Sequence, residues 1–111
     1  MGNYIRTHRK RAGLSQCELG HLLGYPSKAA VARHERSSRL PPLLIALAYE
    51  VVFDTPVSEI FAGLHETVQL AVKNRLVELE GRLHETKGGL RAVEVAQKLA
   101  WLNQRRSSSQ R

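Results

Sequence analysis

The stretch LSQCELGHLLGYPSKAAVARHE, residues 14–35, constrains this chain more than any other. Ser15 is followed three residues later by Glu18, the spacing of a capping box. In that box the serine hydroxyl takes an orphan helix N–H and the carboxylate reaches back to the serine's own N–H. A helix is therefore predicted from Gln16 to about Leu23, with Leu19, Leu22 and Leu23 as its i, i+3, i+4 stripe. Gly24 ends it. Tyr25-Pro26-Ser27 makes a turn: Pro26 cannot continue the preceding helix, and Ser27 can cap the next. That next helix runs from about Lys28 to Arg36 and holds one large aliphatic residue, Val31. Most of its surface must face something other than a core.

The flanks read as helices too. Asn3 can cap a first helix from about Tyr4 to Ala12, ended by Gly13. Ile5 and Ala12 mark its apolar side with Tyr4 and His8 near them, and Arg6, Arg9 and Lys10 cover the rest. Residues 37–42 form a loop. Pro42 suits the start of a fourth helix, Leu43 to Phe53, apolar nearly all round and so expected to be the central buried element. Thr55-Pro56 restarts a short fifth helix, Val57 to Phe61, ending at Gly63. A domain closes over residues 1–63, and with 5% aromatic residues its core is expected to be mostly aliphatic. Beyond it, Val72, Leu76, Leu79 and Leu83 repeat at helical spacing in a segment from Leu64 to Thr86. Gly88-Gly89 breaks that segment. Leu90 to about Asn103 forms a second one, with Val93, Ala96, Ala100 and Trp101. Residues 64–104 thus read as a helical hairpin, and 105–111, RRSSSQR, as a disordered tail. No segment reads as a strand, so the fold class is all-α.

The net charge is +7, and residues 1–40 carry +6 of it. A small basic domain of this kind meets a polyanion. Cys17 stands alone, which excludes an internal disulfide. No apolar run reaches membrane-spanning length, and the start MGNYIRTHRK has neither a signal-peptide core nor a good myristoylation pattern. The expectation is a cytoplasmic protein with no membrane partner. Cys17 and His21 have metal-ligand spacing, but two ligands do not make a zinc site, and no second cysteine can resolve an oxidised Cys17. No metal and no cofactor are expected. Nothing resembles a Gly-rich phosphate loop, a nucleophile elbow or a paired-carboxylate site, so no catalytic residue is assigned and no enzyme is expected. RNA readers usually offer aromatic stacking platforms, whereas the basic half offers only Tyr4 and Tyr25.

Two short helices joined by a tight turn in a basic all-α domain follow the helix-turn-helix plan. Residues 4–62 resemble the helix-turn-helix domain of the Xre/Cro-CI class of transcriptional regulators. The resemblance rests on IRTHRKRAGLSQCELGHLLG, on VARHER closing the third helix, and on IALAYEVVFDTPVSEIF. It implies a five-helix lambda-repressor-like DNA-binding domain, here followed by the hairpin, with double-stranded DNA as partner and repression of transcription as function. The third helix would lie in the major groove. Gln16 would bond a phosphate, and Lys28 and Ala29 would read bases, with Ala32 and Arg33 one turn on. Glu35 would tie the third helix to the basic loop. Arg36 and Arg39 would meet phosphates, as would Arg6 and Arg9 at the rim. Three features depart from the family pattern. The turn is about one residue longer, the 36–42 loop is shorter, and Ser37 replaces a glycine. Either Ser27 or Lys28 is then the first residue to touch a base.

Plainer readings stand beside these. Lys28 and Arg33 can be solvated surface charges, Gln16 an exposed helix residue, and Ala29, Ala30 and Ala32 helix filler. His34 is either a titrating contact or a packing residue. Reading two half-sites calls for a homodimer, with Leu76, Leu79, Leu83 and Leu90 as its expected seam. The alternative is that the hairpin folds back on its own N-terminal domain or merely lengthens it. A second function is an antitoxin-like or adaptor module whose hairpin binds a protein partner.

Overall fold

The computed structural model describes residues 2–85 and 92–109, without the side chains of 107–109. Among the described residues there are seven helices and no strand: α1 (Ile5–Arg11), α2 (Gln16–Leu22), α3 (Ala29–Glu35), α4 (Leu43–Phe53), α5 (Val57–Ile60), α6 (Ala62–Glu85) and α7 (Ala92–Ser109). The chain divides into two compact units, Met1–Val68 and Gln69–Arg111. The division falls inside α6, because Gly63 does not stop the chain as expected: α5 ends at Ile60, and α6 runs through Gly63.

The first unit is built by its caps. The box at Ser15 forms as its spacing predicts: Glu18 N–H donates to Ser15 Oγ at 3.0 Å, and Ser15 N–H donates to Glu18 Oε1 at 2.9 Å. At the other end of α2, Gly24 sits at φ +89°. There Tyr25 N–H reaches Gly20 O and Gly24 N–H reaches His21 O, at 2.9 and 3.0 Å, the paired bonds of a Schellman cap. The same pair closes α3 on Ser37 at φ +58°, where Ser38 and Ser37 donate to the carbonyls of Arg33 and His34. Asn3 does take the Ile5 N–H on its Oδ1 at 3.0 Å. Its amide also donates to His34 O at 2.8 Å, so it pins the start of α1 to the end of α3. Glu50 caps α5 from a distance, accepting the Val57 N–H at 2.9 Å.

Each of α1 to α5 contributes to one core: Ile5, Leu19, Val31, Tyr49 and Ile60 are fully buried, with Leu23 and Phe61 beside them. The core is less aliphatic than expected, since four of the six aromatic side chains, Tyr25, Tyr49, Phe53 and Phe61, lie in it or against it. Scarce aromatics were concentrated rather than spread. Leu22 breaks the predicted α2 stripe and points to solvent, as does Ala12 on α1. The largest departure is α4. It buries Ala46 and Tyr49 but leaves Leu43, Leu44 and Val51 at 75%, 77% and 80% exposure, and Leu47 at 46%. It is not a central helix. A small domain closes on one side of it, and sequence alone gives an all-round apolar helix no second layer.

The second unit packs α6 on α7. Leu83, Val95 and Leu102 are buried, with Leu76 and Leu99 against them, and Arg106 Nη2 pairs with Glu80 Oε2 at 2.9 Å. The buried stripe of α7 is Val95, Leu99, Leu102, at i, i+4, i+7, not the expected Val93, Ala96, Ala100, Trp101. Val93 and Trp101 are exposed instead. The stripe that buries two leucines and a valine outweighs one with two alanines. The helix also continues past Asn103 to Ser109, so the tail expected to be disordered from Arg105 is helical as far as it is described. Gly88, Gly89 and Leu90 lie outside the described residues. No helix among the described residues is long and apolar enough to cross a membrane.

Candidate nucleic-acid interface

α3 has two sharply different sides. Val31 and His34 point into the core at 0% and 2% exposure. On the opposite side Lys28, Ala29, Arg33 and Arg36 are exposed and Ala32 is half-buried. These positions recur at i, i+4 and i+8, so they form one stripe along the helix. The expected set is thus brought together on one uncovered face of small and cationic side chains. Ser27 stands exposed just before it. Its Oγ accepts the Ala29 N–H at 3.3 Å, so it closes the turn while Lys28 takes the cap position in helical conformation. Arg33 and Arg39 line the same open cleft of about 420 Å³, beside Tyr25, Pro26 and Leu40.

The angle between α2 and α3 depends on Gly20. A Cβ built there would stand 2.8 Å from the backbone oxygen of Ser27. Only a residue without a side chain lets the turn fold back so closely over α2.

Behind the stripe lies an ion-pair junction that the sequence placed differently. Arg9 Nε donates to Glu35 Oε2 at 2.6 Å, and Arg9 Nη2 donates to Glu35 Oε1 at 3.1 Å. Arg9 Nη1 donates to Leu14 O at 3.0 Å, and Gln16 Nε2 donates to Glu35 Oε1 at 3.1 Å. One carboxylate thus joins α1, α2 and α3. Burial alone would raise the Glu35 carboxyl. The bonds from Arg9 and Gln16, with the charges of Arg9 and Arg6, outweigh it and hold Glu35 below the usual carboxylate range. Arg9 is raised in turn, chiefly by its bonds to Glu35.

Two expectations change here. Arg9 is not a free rim cation: its side chain is 11% exposed and its fork is occupied by Glu35 and Leu14. Glu35 does not tie α3 to the basic loop, because Arg9 and Gln16 reach it first. Gln16 is half-buried at this junction rather than fully exposed, with one of its two amide protons on Glu35. Arg6 remains exposed, near enough for its charge to act on Glu35.

His34 is a packing residue. Its Nδ1 shares a 2.8 Å hydrogen bond with the Tyr49 hydroxyl, and its ring meets Tyr49 edge-on at 5.7 Å. Burial first, and the nearby charge of Arg39 second, push its pKa down. Burial likewise pushes the Tyr49 phenol up. Neither the pair nor the Arg9–Glu35 junction was read from the sequence. One signal did exist: Glu35 is the only acid in residues 1–40 not consumed by the capping box.

Of the expected dimer seam, Leu83 and Leu76 are taken up against α7 within the chain, Leu79 stays exposed, and Leu90 is not described. Cys17 and His21 are both exposed, and among the described residues no three His, Cys, Asp or Glu side chains converge as metal ligands. Comparison with protein-family models, curated proteins and solved structures returned no match to this chain.

Proposed function

We propose that this chain is a sequence-specific double-stranded DNA-binding regulator of the helix-turn-helix type, a repressor of the Xre/Cro-CI kind working in the cytoplasm. The observation that carries the reading is the outer face of α3. Lys28, Ala29, Ala32, Arg33 and Arg36 form an uncovered small-and-cationic stripe backed by buried Val31 and His34. A major groove admits one helix whose exposed side is small or polar, and reads its side chains at base edges. On this reading α1 to α5 form a lambda-repressor-like domain, and α6 and α7 the appended hairpin. Lys28 and Arg33 give donors to guanine edges, and Ala29 and Ala32 allow close approach and methyl contact with thymine. Arg6, Arg36 and Arg39 neutralise phosphates. Gln16, held by Glu35, keeps its second amide proton for the backbone. On this reading the work of the site is binding.

Fluorescence anisotropy with a labelled duplex tests this across a salt series. Each phosphate neutralised adds about 0.9 to the slope of log K against log salt. Arg6→Ala, Arg36→Ala and Arg39→Ala each lower that slope on any duplex. An affinity that does not respond to salt removes the reading.

An antitoxin-like or adaptor role for α6 and α7 has one observation in its favour. Val93 and Trp101 stand exposed on α7, at 74% and 50%. A stoichiometric protein that binds the wild type but not Trp101→Ala would establish it.

A further inference from the structure

The outward face of α4 is the most apolar uncovered surface of the first unit. At about 100° per residue, Leu43, Leu44, Leu47 and Val51 fall within an arc of about 100° on the helix, and each is 46% exposed or more. Within Leu43–Phe53 no charged side chain interrupts that arc. Glu50 lies outside it, half-buried, with one carboxylate oxygen on the Val57 N–H. Contiguous uncovered aliphatic ridges are uncommon on monomers and mark contact surfaces.

The electrostatics of α4 say what covers it. Its first turn holds no acid and its last turn no base, so α4 does not compensate either end of its dipole with its own side chains. Its C-cap residue is Asp54, exposed at φ +47°, which places a negative charge at the negative end. The surface that relieves both ends is a second α4 running the other way. We propose that two copies of this chain pair through α4 about a two-fold axis at Leu47. Leu47 then meets Leu47 of the partner subunit, and Leu43 meets Val51 of the partner subunit. Each Asp54 comes to the acid-free N-terminus of the other α4. A two-fold contact of this kind uses one patch twice, and the patch must match itself. A parallel pairing would leave each Asp54 at a negative helix end. The proposal is independent of the DNA reading and replaces the hairpin leucines as the dimer seam.

The test is made on the full chain without DNA. Sedimentation equilibrium gives a dimer for the wild type at micromolar concentration and a monomer for Leu47→Glu. Asp54→Lys weakens the dimer about tenfold, since two helix ends lose their counter-charge and meet a like one. In a Cys17→Ser background, Leu47→Cys is oxidised by diamide to a disulfide-linked dimer, because residue 47 meets itself. Val51→Cys alone does not link, whereas Val51→Cys mixed with Leu43→Cys does. A monomeric wild type overturns the proposal. So does a dimer that survives Leu47→Glu, or one in which Val51→Cys links to itself and Leu47→Cys does not. Circular dichroism of Leu47→Cys checks that the exposed substitution leaves the helices intact.

Discussion

Arg9 and Glu35 lie 26 positions apart in sequence and 2.6 Å apart in space, with side chains 11% and 5% exposed. Their pairing sets the position of α3, because the same carboxylate also holds Gln16 at the head of α2. Breaking a buried pair from one side strands a charge, which costs about 3 kcal/mol. Arg9→Met and Glu35→Met should each lower stability by about that much in urea denaturation. The double variant Arg9→Met/Glu35→Met should recover a large part of the loss. Strict additivity of the two single changes would show that the pair is not coupled.

Gly20→Ala gives a sign test of the α2–α3 packing. In an open helix this change stabilises by up to about 1 kcal/mol. Here the new Cβ meets a backbone oxygen at 2.8 Å, and overpacking of that kind costs about 1–3 kcal/mol. Thermal melts should show a lower Tm, and a raised one would mean that the turn stands further off α2.

Acid should weaken the domain in two stages. Burial lowers the folded pKa of His34 below the ordinary value of about 6.5. Between those two values the unfolded chain takes a proton that the folded chain refuses, so stability rises with pH there. The contribution of His34 is complete above about pH 6.5 and is lost as pH falls through its depressed value. Glu35 is also depressed, so its contribution is complete above about pH 4.3 and fades below that. Denaturation midpoints measured from pH 7.5 to 5 should fall, and the fall should shrink in His34→Gln. An unchanged profile in that variant would place the titration elsewhere.

Leu102→Ala should loosen α6 and α7 without altering oligomer mass. Leu102 is 2% exposed and packs with Leu83 and Val95 inside one chain. Truncating a buried leucine costs about 2–5 kcal/mol. Hydrogen exchange of α7 amides should quicken. A change in sedimentation mass instead would restore the leucine seam to the dimer interface.

What the sequence disclosed was local. The box at Ser15, the stop at Gly24 and the turn at Pro26 are contact patterns within a few residues, and they appear where their chemistry requires. The face of α3 was legible for the same reason: Val31 is its one large aliphatic anchor, and the rest follows from helical spacing. What escaped were choices between equivalent partners far apart. Nothing in the order of residues tells Glu35 to take Arg9 instead of a nearer arginine in the loop. Nothing in LLIALAYEVVF says which side of α4 stays bare, since both sides are apolar. In α7 two stripes compete one or two positions apart, and only the packed partner decides between them.

The central claim is that α3 reads base sequence, and selection of bound duplexes from a random pool at moderate salt tests it most directly. The wild type should enrich a palindromic motif of two half-sites about one helical turn apart. Lys28→Ala and Arg33→Ala should each relax the motif at particular positions, whereas Arg6→Ala should lower recovery without changing it. A pool that stays random with the wild type, or a motif untouched by either α3 change, would contradict the account.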